Sequence, residues 1–374
     1  MNVVIAAGGT GGHLYPAVAL ARELLRQVPG SAVTFVGTSR GIESKVLPKE
    51  GFELELIDAK PVMGRGIVEA LAAFATLPLG LWQSLRLLRR RGAELVIGIG
   101  GYASPPVLLA AWLLRIKRAI LEPNAYPGMA NKVIGPLANL VFVGHAAAAG
   151  AFPPAAVRLT GTPVRREFSE AGGPSDAGGP RDRTTLLIFG GSQGAHAINV
   201  AVMEALPFLS GLRDRLRIVH QTGAADVESV RSAYAHAGLT AEVSAFIYDM
   251  PRALREADAV LSRAGAVTLA ELTVSGKPAV LVPLPSAIYN HQEKNARVLE
   301  EAGAAVVLLQ RDLTGARLAE AVTALLADPG RLNAMGQRSR QLGRADAAEA
   351  VVRECRTLVE GRDETNQSSG ATGA

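Results

Sequence analysis

The chain has 374 residues, 48% hydrophobic and 20% charged, which predicts two domains of ordinary size and excludes global disorder. Its single cysteine, Cys355, excludes a disulfide framework and a multi-cysteine metal site, and favours a reducing compartment. The net charge of +5 is too small to indicate a nucleic-acid partner by itself. Residues 1–164 nevertheless hold 16 Lys and Arg against 9 Asp and Glu, which indicates an anionic surface or substrate on that side.

Short apolar, β-branched runs alternate with helix-like stretches, such as 16–27 and 106–114, along the whole chain. The predicted strands are 3–7, 33–36, 54–57, 95–99, 119–121, 140–143, 185–189, 216–220, 243–247, 259–261, 279–283 and 304–308. Continuous apolar strands that alternate with helices indicate parallel sheets covered on both faces. The sequence therefore predicts an α/β protein with two doubly wound domains. No secretory signal peptide is apparent before the first glycines.

A break in composition separates the two halves. Residues 169–185 (SEAGGPSDAGGPRDRTT) are rich in Gly and Pro and cannot bury apolar surface, so we expect a linker there. We assign residues 1–164 to an N-terminal domain, 165–184 to the linker and 185–344 to a C-terminal domain. The last segment, 361–374, has no apolar periodicity and is predicted to be disordered.

Each half begins with a strand that leads into a GG-[TS]-x-G turn and a helix, at residues 8–12 and 190–194. Such loops lie at the carboxyl end of a sheet, where α/β proteins bind ligands. The helix that follows offers free N–H groups and about half a positive elementary charge, which suits a phosphate. One such loop could be only a tight turn. Two matched loops favour a pair of ligand sites that face each other across a cleft.

Three further segments after strands could also bind phosphate: 98–103 (GIGGYA), 124–128 (NAYPG) and 263–268 (RAGAVT). The first fits G-x-G-x-x-A, but prolines follow at once, so a dinucleotide site is disfavoured. No Walker lysine pattern occurs, which argues against a P-loop ATPase and for a large phosphorylated substrate pair. The metal-binding patterns H-E-x-x-H, C-x-x-C and D-x-D are missing from the sequence. We therefore expect helix dipoles and Arg, and no metal ion, to neutralise a diphosphate.

His13 directly follows the first glycine loop and is the candidate general base. An ordinary imidazole has a pKa of ~6.5 and can accept a hydroxyl proton at neutral pH. A capping or packing role is the alternative from position alone. The remaining histidines show no metal-ligand spacing. His145, His196, His220 and His236 are interpreted as structural, and His291, beside Gln292, is the exception.

Residues 70–85 form an uncharged apolar stretch that is followed by arginines. Pro78 and Gly80 interrupt it, and it is too short to span a bilayer. An apolar face flanked by arginines fits a helix that lies on an anionic membrane; an ordinary core helix with a basic end is the alternative. The candidate membrane face consists of Leu79, Trp82, Arg86, Arg89 and Arg90.

Six motifs occur in an order that resembles one family of proteins. They are 8–13 (GGTGGH), 100–102 (GGY), 124–128 (NAYPG), 161–165 (GTPVR), 190–194 (GGSQG) and 264–271 (AGAVTLAE). Across about residues 2–345 the chain resembles the MurG family, the bacterial N-acetylglucosaminyltransferases that convert lipid I to lipid II. The resemblance implies a GT-B fold, in which two Rossmann-like doubly wound parallel-sheet domains face each other across a cleft. It also implies that a last helix, 345–360, crosses back to the N-terminal domain.

The resemblance further implies which residues bind the substrates. The implied contacts to UDP-N-acetylglucosamine (UDP-GlcNAc) are Thr10, Gly11, Gly12, Asn124, Arg165, Ser192, Ile247, Ala266, Val267, Thr268, Leu269, Ala270, Glu271 and Gln292. Arg165 and Ser192 can donate to the diphosphate, Glu271 can accept from ribose hydroxyls, and the Ile247 backbone suits uracil. The side-chain amides of Asn124 and Gln292 suit sugar hydroxyls. The implied contacts to the acceptor diphosphate are Gly12, His13, Gly101 and Tyr102.

Two positions depart from the family pattern. Pro123 stands where a Gln is frequent, and Ala264 replaces a frequent Ser in the diphosphate loop. Neither carries an assigned role, although the second change can cost one hydrogen bond of about 1 kcal/mol.

The resemblance predicts an inverting hexosyltransferase that needs no cofactor and no metal. The C4 hydroxyl of the MurNAc residue of lipid I attacks UDP-GlcNAc, with His13 as base, and yields a β(1→4) bond for peptidoglycan synthesis, cell-wall biogenesis, cell shape and cell division. The expected partners are UDP-GlcNAc, polyprenyl-diphosphate-linked lipid I and an anionic membrane surface, with no nucleic acid. The expected location is the cytoplasmic side of the cell membrane, as a peripheral protein. Three alternatives stay open: a GT-B enzyme for another acceptor, a UDP-GlcNAc 2-epimerase, and a non-enzymatic nucleotide-sugar binding module.

Overall fold

The computed structural model describes residues 1–39, 41–59, 67–170, 183–191, 193–285 and 290–361, with the backbone alone at 67–76 and 170. The chain forms two compact units. The first unit is Met1–Arg165 together with the segment from Ala345, and the second unit is Arg166–Arg344. Most of the predicted linker, and the predicted disordered tail from residue 362, lie outside the described residues.

The first unit is built on a seven-stranded sheet with strand order β3-β2-β1-β4-β5-β6-β7, in which every neighbouring pair is parallel. The strands are β1 Asn2–Ala7, β2 Ala32–Gly37, β3 Glu53–Leu56, β4 Leu95–Gly100, β5 Lys117–Glu122, β6 Leu140–Val143 and β7 Val157–Leu159. The helices are α1 Gly11–Gln27, α2 Glu43–Val46, α3 Ile67–Arg90, α4 Ser104–Leu113, α5 Met129–Ile134 and, at the end of the chain, α14 Ala347–Glu360.

Apolar cores cover both faces of this sheet. One core lies under α1 and α14, and the other lies under α3 and α4. The central strand β4 (LVIGIG) is buried along its whole length, as expected for a parallel strand between two helical layers.

The C-terminal helix α14 follows the second unit in sequence but packs within the first. Its side chains Val351, Val352 and Cys355 are buried in the core beside α1. At the rim, Arg158 Nε lies 3.1 Å from the Glu354 carboxylate. An amphipathic pattern therefore attaches the end of the chain to the N-terminal sheet.

The second unit is a six-stranded parallel sheet with order β10-β9-β8-β11-β12-β13. The strands are β8 Thr184–Phe189, β9 Leu216–Gln221, β10 Ala241–Ser244, β11 Ala259–Ser262, β12 Ala279–Leu281 and β13 Ala305–Val307. The helices are α6 Arg166–Glu170, α7 His196–Leu209, α8 Val227–Ala237, α9 Met250–Glu256, α10 Ala266–Val274, α11 His291–Glu301, α12 Gly315–Leu326 and α13 Pro329–Leu342.

The predicted class, two doubly wound parallel-sheet domains, is confirmed. Apart from shifts of one or two residues at strand ends, the details differ in two places. The edge strand β7 was not predicted, because its sequence VRL is short and only partly buried. The strand predicted at 243–247 is Ala241–Ser244, since the apolar residues after Ser244 form a loop at the sheet's carboxyl edge.

Candidate active site

The first glycine loop joins β1 to α1 at the carboxyl edge of the first unit. Gly9 has φ +90°, a left-handed conformation that suits glycine. Thr10 is the N-cap residue of α1 with an extended backbone, and Gly11 and Gly12 form the first turn. Their N–H groups therefore belong to the unpaired set at the start of a helix.

A buried carboxylate supports this loop from below. Glu43 is fully buried, and its Oε2 accepts the N–H of Gly9 at 3.0 Å. Its Oε1 accepts the Thr38 N–H at 2.8 Å and the Thr38 hydroxyl at 3.2 Å. A Cβ atom at Gly8 or Gly41 would overlap the carboxylate, so the loops on both sides leave room for it only as glycines. Sequence reasoning missed Glu43, because it lies 34 residues from Gly9 and belongs to no motif.

His13 lies in the first turns of α1, partly exposed, with its ring against neighbouring loops. The ring is hydrogen-bonded with the Gly8 backbone, and its Nδ1 lies 3.4 Å from Thr10 Oγ1. A Cβ atom at Gly100 would lie 3.0 Å from His13 Nε2, so the backbone after β4 packs against the ring. Removal from water lowers the pKa of His13 below its ordinary value, while the charges of Glu122 and Glu43 oppose that shift. The imidazole is therefore neutral at pH 7, the form that accepts a proton.

The loop after β4 packs directly on the first glycine loop. Gly101 has φ +77°, and a Cβ atom there would overlap the Gly8 carbonyl. Ser104 Oγ accepts the Gly100 N–H at 3.1 Å, and the Ser104 hydroxyl donates to the Ala6 carbonyl at 2.8 Å. These two hydrogen bonds tie the ends of β4 and β1 together. Tyr102 keeps an exposed ring at this edge. The structure thus brings together the residues predicted for the acceptor diphosphate: Gly12, His13, Gly101 and Tyr102.

A second buried carboxylate shapes the loop after β5. Glu122 is 1% exposed and accepts the backbone N–H groups of Asn124 and Gly128, each at 2.9 Å. It also accepts the side-chain amides of Asn124 and Asn131, again at 2.9 Å. The loop therefore wraps around the carboxylate, and β5 beside β4 places Asn124 at the same edge as the two preceding loops. The predicted donor residue Arg165, at the end of this unit, has its guanidinium 5.9 Å from the Tyr15 ring centroid.

The second unit holds a cavity of about 540 Å³ at the carboxyl edge of its sheet. It lies against the second glycine loop, which follows β8, and the start of α10, which follows β11. Its lining residues are Phe189, Gly190, Gly191, Gly194, Ala195, His196, Ala197, Arg263, Gly265, Thr268, Leu284, Gln292 and Gln310. Thr268 and Gln292 are thus the predicted donor residues that contribute to the lining, while Ser192 lies outside the described residues.

Gln292 joins two loops of this cavity. Its Oε1 accepts the N–H of Ala264 at 3.2 Å and that of Leu284 at 3.0 Å. Arg263 donates to the Val282 carbonyl at 3.1 Å, and burial lowers its pKa. The Arg263 guanidinium is thus a cation in the cavity lining, held in place by its hydrogen bond to a backbone carbonyl.

The predicted donor segment 266–271 forms the first six of the nine residues of α10. Gly265 is the N-cap residue, so the N–H groups of Ala266, Val267 and Thr268 belong to the open first turn. Leu269 is fully buried, which leaves its side chain to pack in the core. Ala270 and Glu271 are partly exposed. Their contacts to a donor stay a prediction.

The predicted uracil residue, Ile247, lies in the loop after β10. It is partly exposed between Phe246 and Tyr248, whose rings pack edge-to-face with centroids 5.0 Å apart. Ile247 and Glu271 are not among the described residues that line the cavity.

Close backbone packing and a network of polar side chains support the second glycine loop. Gly194 has φ +78°, and a Cβ atom there would overlap the Thr222 carbonyl. Asn199 donates to that same carbonyl at 2.9 Å and to Asp226 Oδ2 at 2.7 Å. The Asp226 carboxylate in turn lies 3.0 Å from Nδ1 of His196, the exposed first residue of α7.

His220 completes the interior of this network. Its Nε2 lies 3.0 Å from Asn199 Oδ1 and its Nδ1 lies 3.1 Å from the Tyr234 hydroxyl. Burial lowers the pKa of His220 to about 4, so the ring is neutral at pH 7. The geometry agrees with a structural role for this histidine. Among the described residues, no group of three or more His, Cys, Asp or Glu could hold a metal ion.

The candidate membrane face lies on α3. Leu79 and Trp82 have exposed side chains, 46% and 56%, and the Arg86 guanidinium lies 5.8 Å from the Trp82 ring centroid. Arg89 is exposed, whereas Arg90 is engaged with Glu55 at 2.6 Å. The described part of the chain contains no helix with the length and hydropathy needed to cross a bilayer.

Sequence reasoning missed exposed apolar residues on the helices beside α3. Trp112 and Leu113 on α4 are about half exposed, as are Met129 and Val133 on α5. Helix α4 packs against both α3 and α5, so the first unit carries apolar side chains on three successive helices. Such exposure is more than scattered single residues require.

Two parallel doubly wound sheets with glycine loops at their carboxyl edges, one beside the partly exposed His13 ring and one beside a cavity, form the fold of the GT-B glycosyltransferases. Residues 3–143 match the glycosyltransferase family 28 N-terminal domain, and residues 185–351 match the C-terminal domain of that family. The chain belongs to glycosyltransferase family 28 and, within it, to the MurG family. The predicted family and enzyme class are confirmed.

The relatives agree with this assignment. The chain is 48% identical to a UDP-N-acetylglucosamine–N-acetylmuramyl-(pentapeptide) pyrophosphoryl-undecaprenol N-acetylglucosamine transferase of Anaeromyxobacter sp. (strain Fw109-5), over 97% of this chain and 94% of that protein. The crystal structure of Acinetobacter baumannii MurG has a TM-score of 0.78 and 32% identity, covering 95% of this chain and 99% of that one. A putative UDP-N-acetylglucosamine 2-epimerase from Listeria monocytogenes has a TM-score of 0.66 at 16% identity, with 97% of both chains covered. That last similarity concerns the fold alone.

Proposed function

We propose that the chain transfers N-acetylglucosamine from UDP-GlcNAc to the C4 hydroxyl of the MurNAc residue of lipid I, with inversion, to form lipid II. The substrates follow from the name of the relative that is 48% identical over nearly the whole chain. The observation that carries the chemistry is the neutral, partly exposed imidazole of His13 at the carboxyl edge of the first unit, between the loops after β1 and β4.

In this proposal the second unit binds the donor. Its cavity offers the open first turn of α10, the N–H groups of the second glycine loop and the Arg263 guanidinium to a diphosphate. Glu271 accepts hydrogen bonds from the ribose, and Arg165 and Ser192 donate to the phosphates. These groups stabilise the negative charge that develops on UDP as it leaves.

The first unit binds the acceptor and takes the proton. The diphosphate of lipid I lies against the open N–H groups at the start of α1, beside Gly101 and Tyr102. His13 accepts the proton of the C4 hydroxyl as its oxygen attacks the anomeric carbon from the face opposite UDP. The new C–O bond forms as the bond from the anomeric carbon to the diphosphate oxygen breaks, which gives the β(1→4) linkage. No cofactor takes part in these steps.

The acceptor carries a polyprenyl chain, which places it in a membrane. The exposed apolar side chains of α3, α4 and α5, together with Arg86 and Arg89, fit the interface of an anionic bilayer. We infer a peripheral protein on the cytoplasmic side of the cell membrane, with the face around Leu79 and Trp82 against the lipid.

One assay tests the reaction. Radiolabelled UDP-GlcNAc is incubated with a lipid I analogue, with and without a chelator, and the product is separated from free sugar. We expect label in the lipid fraction in both cases. Transfer to other acceptors but not to lipid I would indicate a different GT-B enzyme, and epimerised UDP-sugar without acceptor would indicate a 2-epimerase. Absence of any turnover would leave a binding module.

A further inference from the structure

Glu43 is a fully buried carboxylate that the proposed reaction does not use directly. Its three hydrogen bonds come from the N–H of Gly9 and from the N–H and hydroxyl of Thr38. A buried carboxylate is costly unless it is well hydrogen-bonded, so a protein gains little stability by keeping one. A neutral side chain of similar volume would fill the same space.

The position of Glu43 is also unexpected for electrostatic reasons. It lies directly under a glycine loop whose open N–H groups suit an anion, where a second negative charge weakens anion binding. Its hydrogen bond with Gly9, however, decides which N–H groups of the loop remain available to an anion. Because the Gly9 N–H is turned inward onto Glu43, the loop keeps its left-handed turn and the N–H groups of Gly11 and Gly12 stay open.

Gly8 connects Glu43 to His13. The carboxylate packs against the Cα of Gly8 so closely that a Cβ atom would overlap it. The His13 ring is hydrogen-bonded with the backbone of the same residue. One glycine thus contacts the acid on one side and is hydrogen-bonded with the imidazole on the other.

Few charges act on His13. The described carboxylates that act on it are Glu43, from α2, and Glu122, from the end of β5. On its own helix the neighbouring ring is Tyr15, over which Arg165 lies. Both carboxylates favour the protonated imidazole that exists after His13 has taken a proton.

We propose that Glu43 is a positioning residue for the transfer reaction: its buried carboxylate fixes the first glycine loop in the shape that binds the acceptor diphosphate and places a negative charge beside His13. This inference rests on the proposed function. Glu43 touches neither substrate and acts through Gly9 and Gly8.

The test compares Glu43→Gln with wild type in steady-state transfer to the lipid I analogue across pH 5–9. The change removes the charge and replaces one of the two accepting oxygens by an NH2 group, so that either Gly9 or Thr38 loses its acceptor. We expect kcat/KM for the acceptor to fall about 10- to 100-fold, as for a lost hydrogen bond to a charged group. The KM for UDP-GlcNAc should change less than that for the acceptor, because most of the residues proposed to contact UDP-GlcNAc belong to the second unit. The acid limb of the pH profile should move to lower pH, since the imidazole loses a charge that favours its protonated form.

Two further variants make the test specific. Thr38→Val keeps the side-chain shape and removes one of the three donors, so it should lower kcat/KM for the acceptor about 3- to 10-fold. Glu23→Gln makes the same chemical change at another buried acid of the first unit, which is 9% exposed and hydrogen-bonded to Arg26. Glu23 lies about 15 Å from His13 along α1. This variant should leave both KM values and the acid limb unchanged.

The inference is overturned if Glu43→Gln keeps the wild-type acceptor kinetics and acid limb, or if it loses UDP-GlcNAc affinity as strongly as acceptor affinity. If Glu43→Gln does not fold, wild-type kinetics in Thr38→Val overturn it. A wild-type protein that fails to glycosylate lipid I would instead contradict the proposed function.

Discussion

The glycine loop after β1 donates an N–H directly to a buried carboxylate, whereas the matching loop after β8 packs on a backbone carbonyl that Asn199 holds. Gly9 gives its N–H to Glu43, while Gly194 packs against the Thr222 carbonyl. Both loops end a central parallel strand and begin a helix, so their sequence patterns predict the same structure. The difference lies in the electrostatic surroundings that each fold supplies.

The imidazoles beside the two loops differ in the same way. His13 lies at the edge of the first sheet with carboxylates that oppose the fall of its pKa. His220 lies inside the second unit, bonded on both ring nitrogens, with a pKa of about 4. The first arrangement suits proton transfer, and the second suits a rigid wall behind an anion site.

The largest expected effect concerns His13. His13→Ala should lower kcat about 10²- to 10⁴-fold with little change in the KM for UDP-GlcNAc, because a general base acts in the transition state alone. Steady-state transfer assays measure both constants. His236→Ala, at an exposed position on α8, is the matched control and should behave as wild type. Near-normal turnover of His13→Ala with both substrates bound would remove His13 from the mechanism.

The second prediction concerns stability and pH. The pKa of His220 is about 4 in the folded protein and ~6.5 in the unfolded chain, so the unfolded chain binds the proton more readily. The resulting stability is complete above pH 6.5 and is lost as pH falls toward 4, by about 3 kcal/mol in total. Denaturant unfolding of the second-unit transition at pH 7, 5.5 and 4.5 measures it. A His220→Gln variant whose unfolding free energy falls as steeply with pH as that of wild type would contradict this assignment.

The third prediction separates the supports of the two loops. Gly194→Ala forces a side chain into a left-handed backbone against the Thr222 carbonyl, at about 1–3 kcal/mol. We expect UDP-GlcNAc affinity, measured by calorimetry, to fall about 10- to 100-fold. Gly211→Ala is the control, because a Cβ atom there meets open space and should change nothing. Equal affinities of the two variants would show that the second loop does not hold the donor.

The smallest expected effect concerns the membrane face. Trp82→Gln removes a half-exposed aromatic side chain from α3 and should weaken sedimentation with anionic phospholipid vesicles about tenfold, since interfacial binding scales with buried apolar area. Phe208→Gln removes an equally exposed aromatic from the second unit and should have no effect. Reversed results for the two variants would place the lipid-binding surface on the second unit.

Much of the fold could be predicted because buried parallel strands are continuous apolar runs. The strands, both glycine loops and a helix at 106–114, observed as Ser104–Leu113, follow from such local patterns. The edge strand β7 escaped because its three residues include Arg158 and are not buried, whereas the equally short strands β12 and β13 are wholly apolar.

The supports of the site could not be predicted from local patterns. Glu43 and Gly9 are 34 residues apart, and Asn199 and Asp226 are 27 apart, so their contacts exist only after the sheets have formed. Glu122 looks like the polar end of a strand in sequence, yet it organises the whole Asn124 loop. Motifs identified the loops, and the structure identified what holds them.

A crystal structure with UDP bound tests most directly whether the second unit binds the diphosphate of the donor. The account predicts the diphosphate within hydrogen-bond distance of the glycine loop after β8 or the first turn of α10, in the cavity of the second unit. A nucleotide bound instead at the loop beside Glu43 and His13 would contradict it.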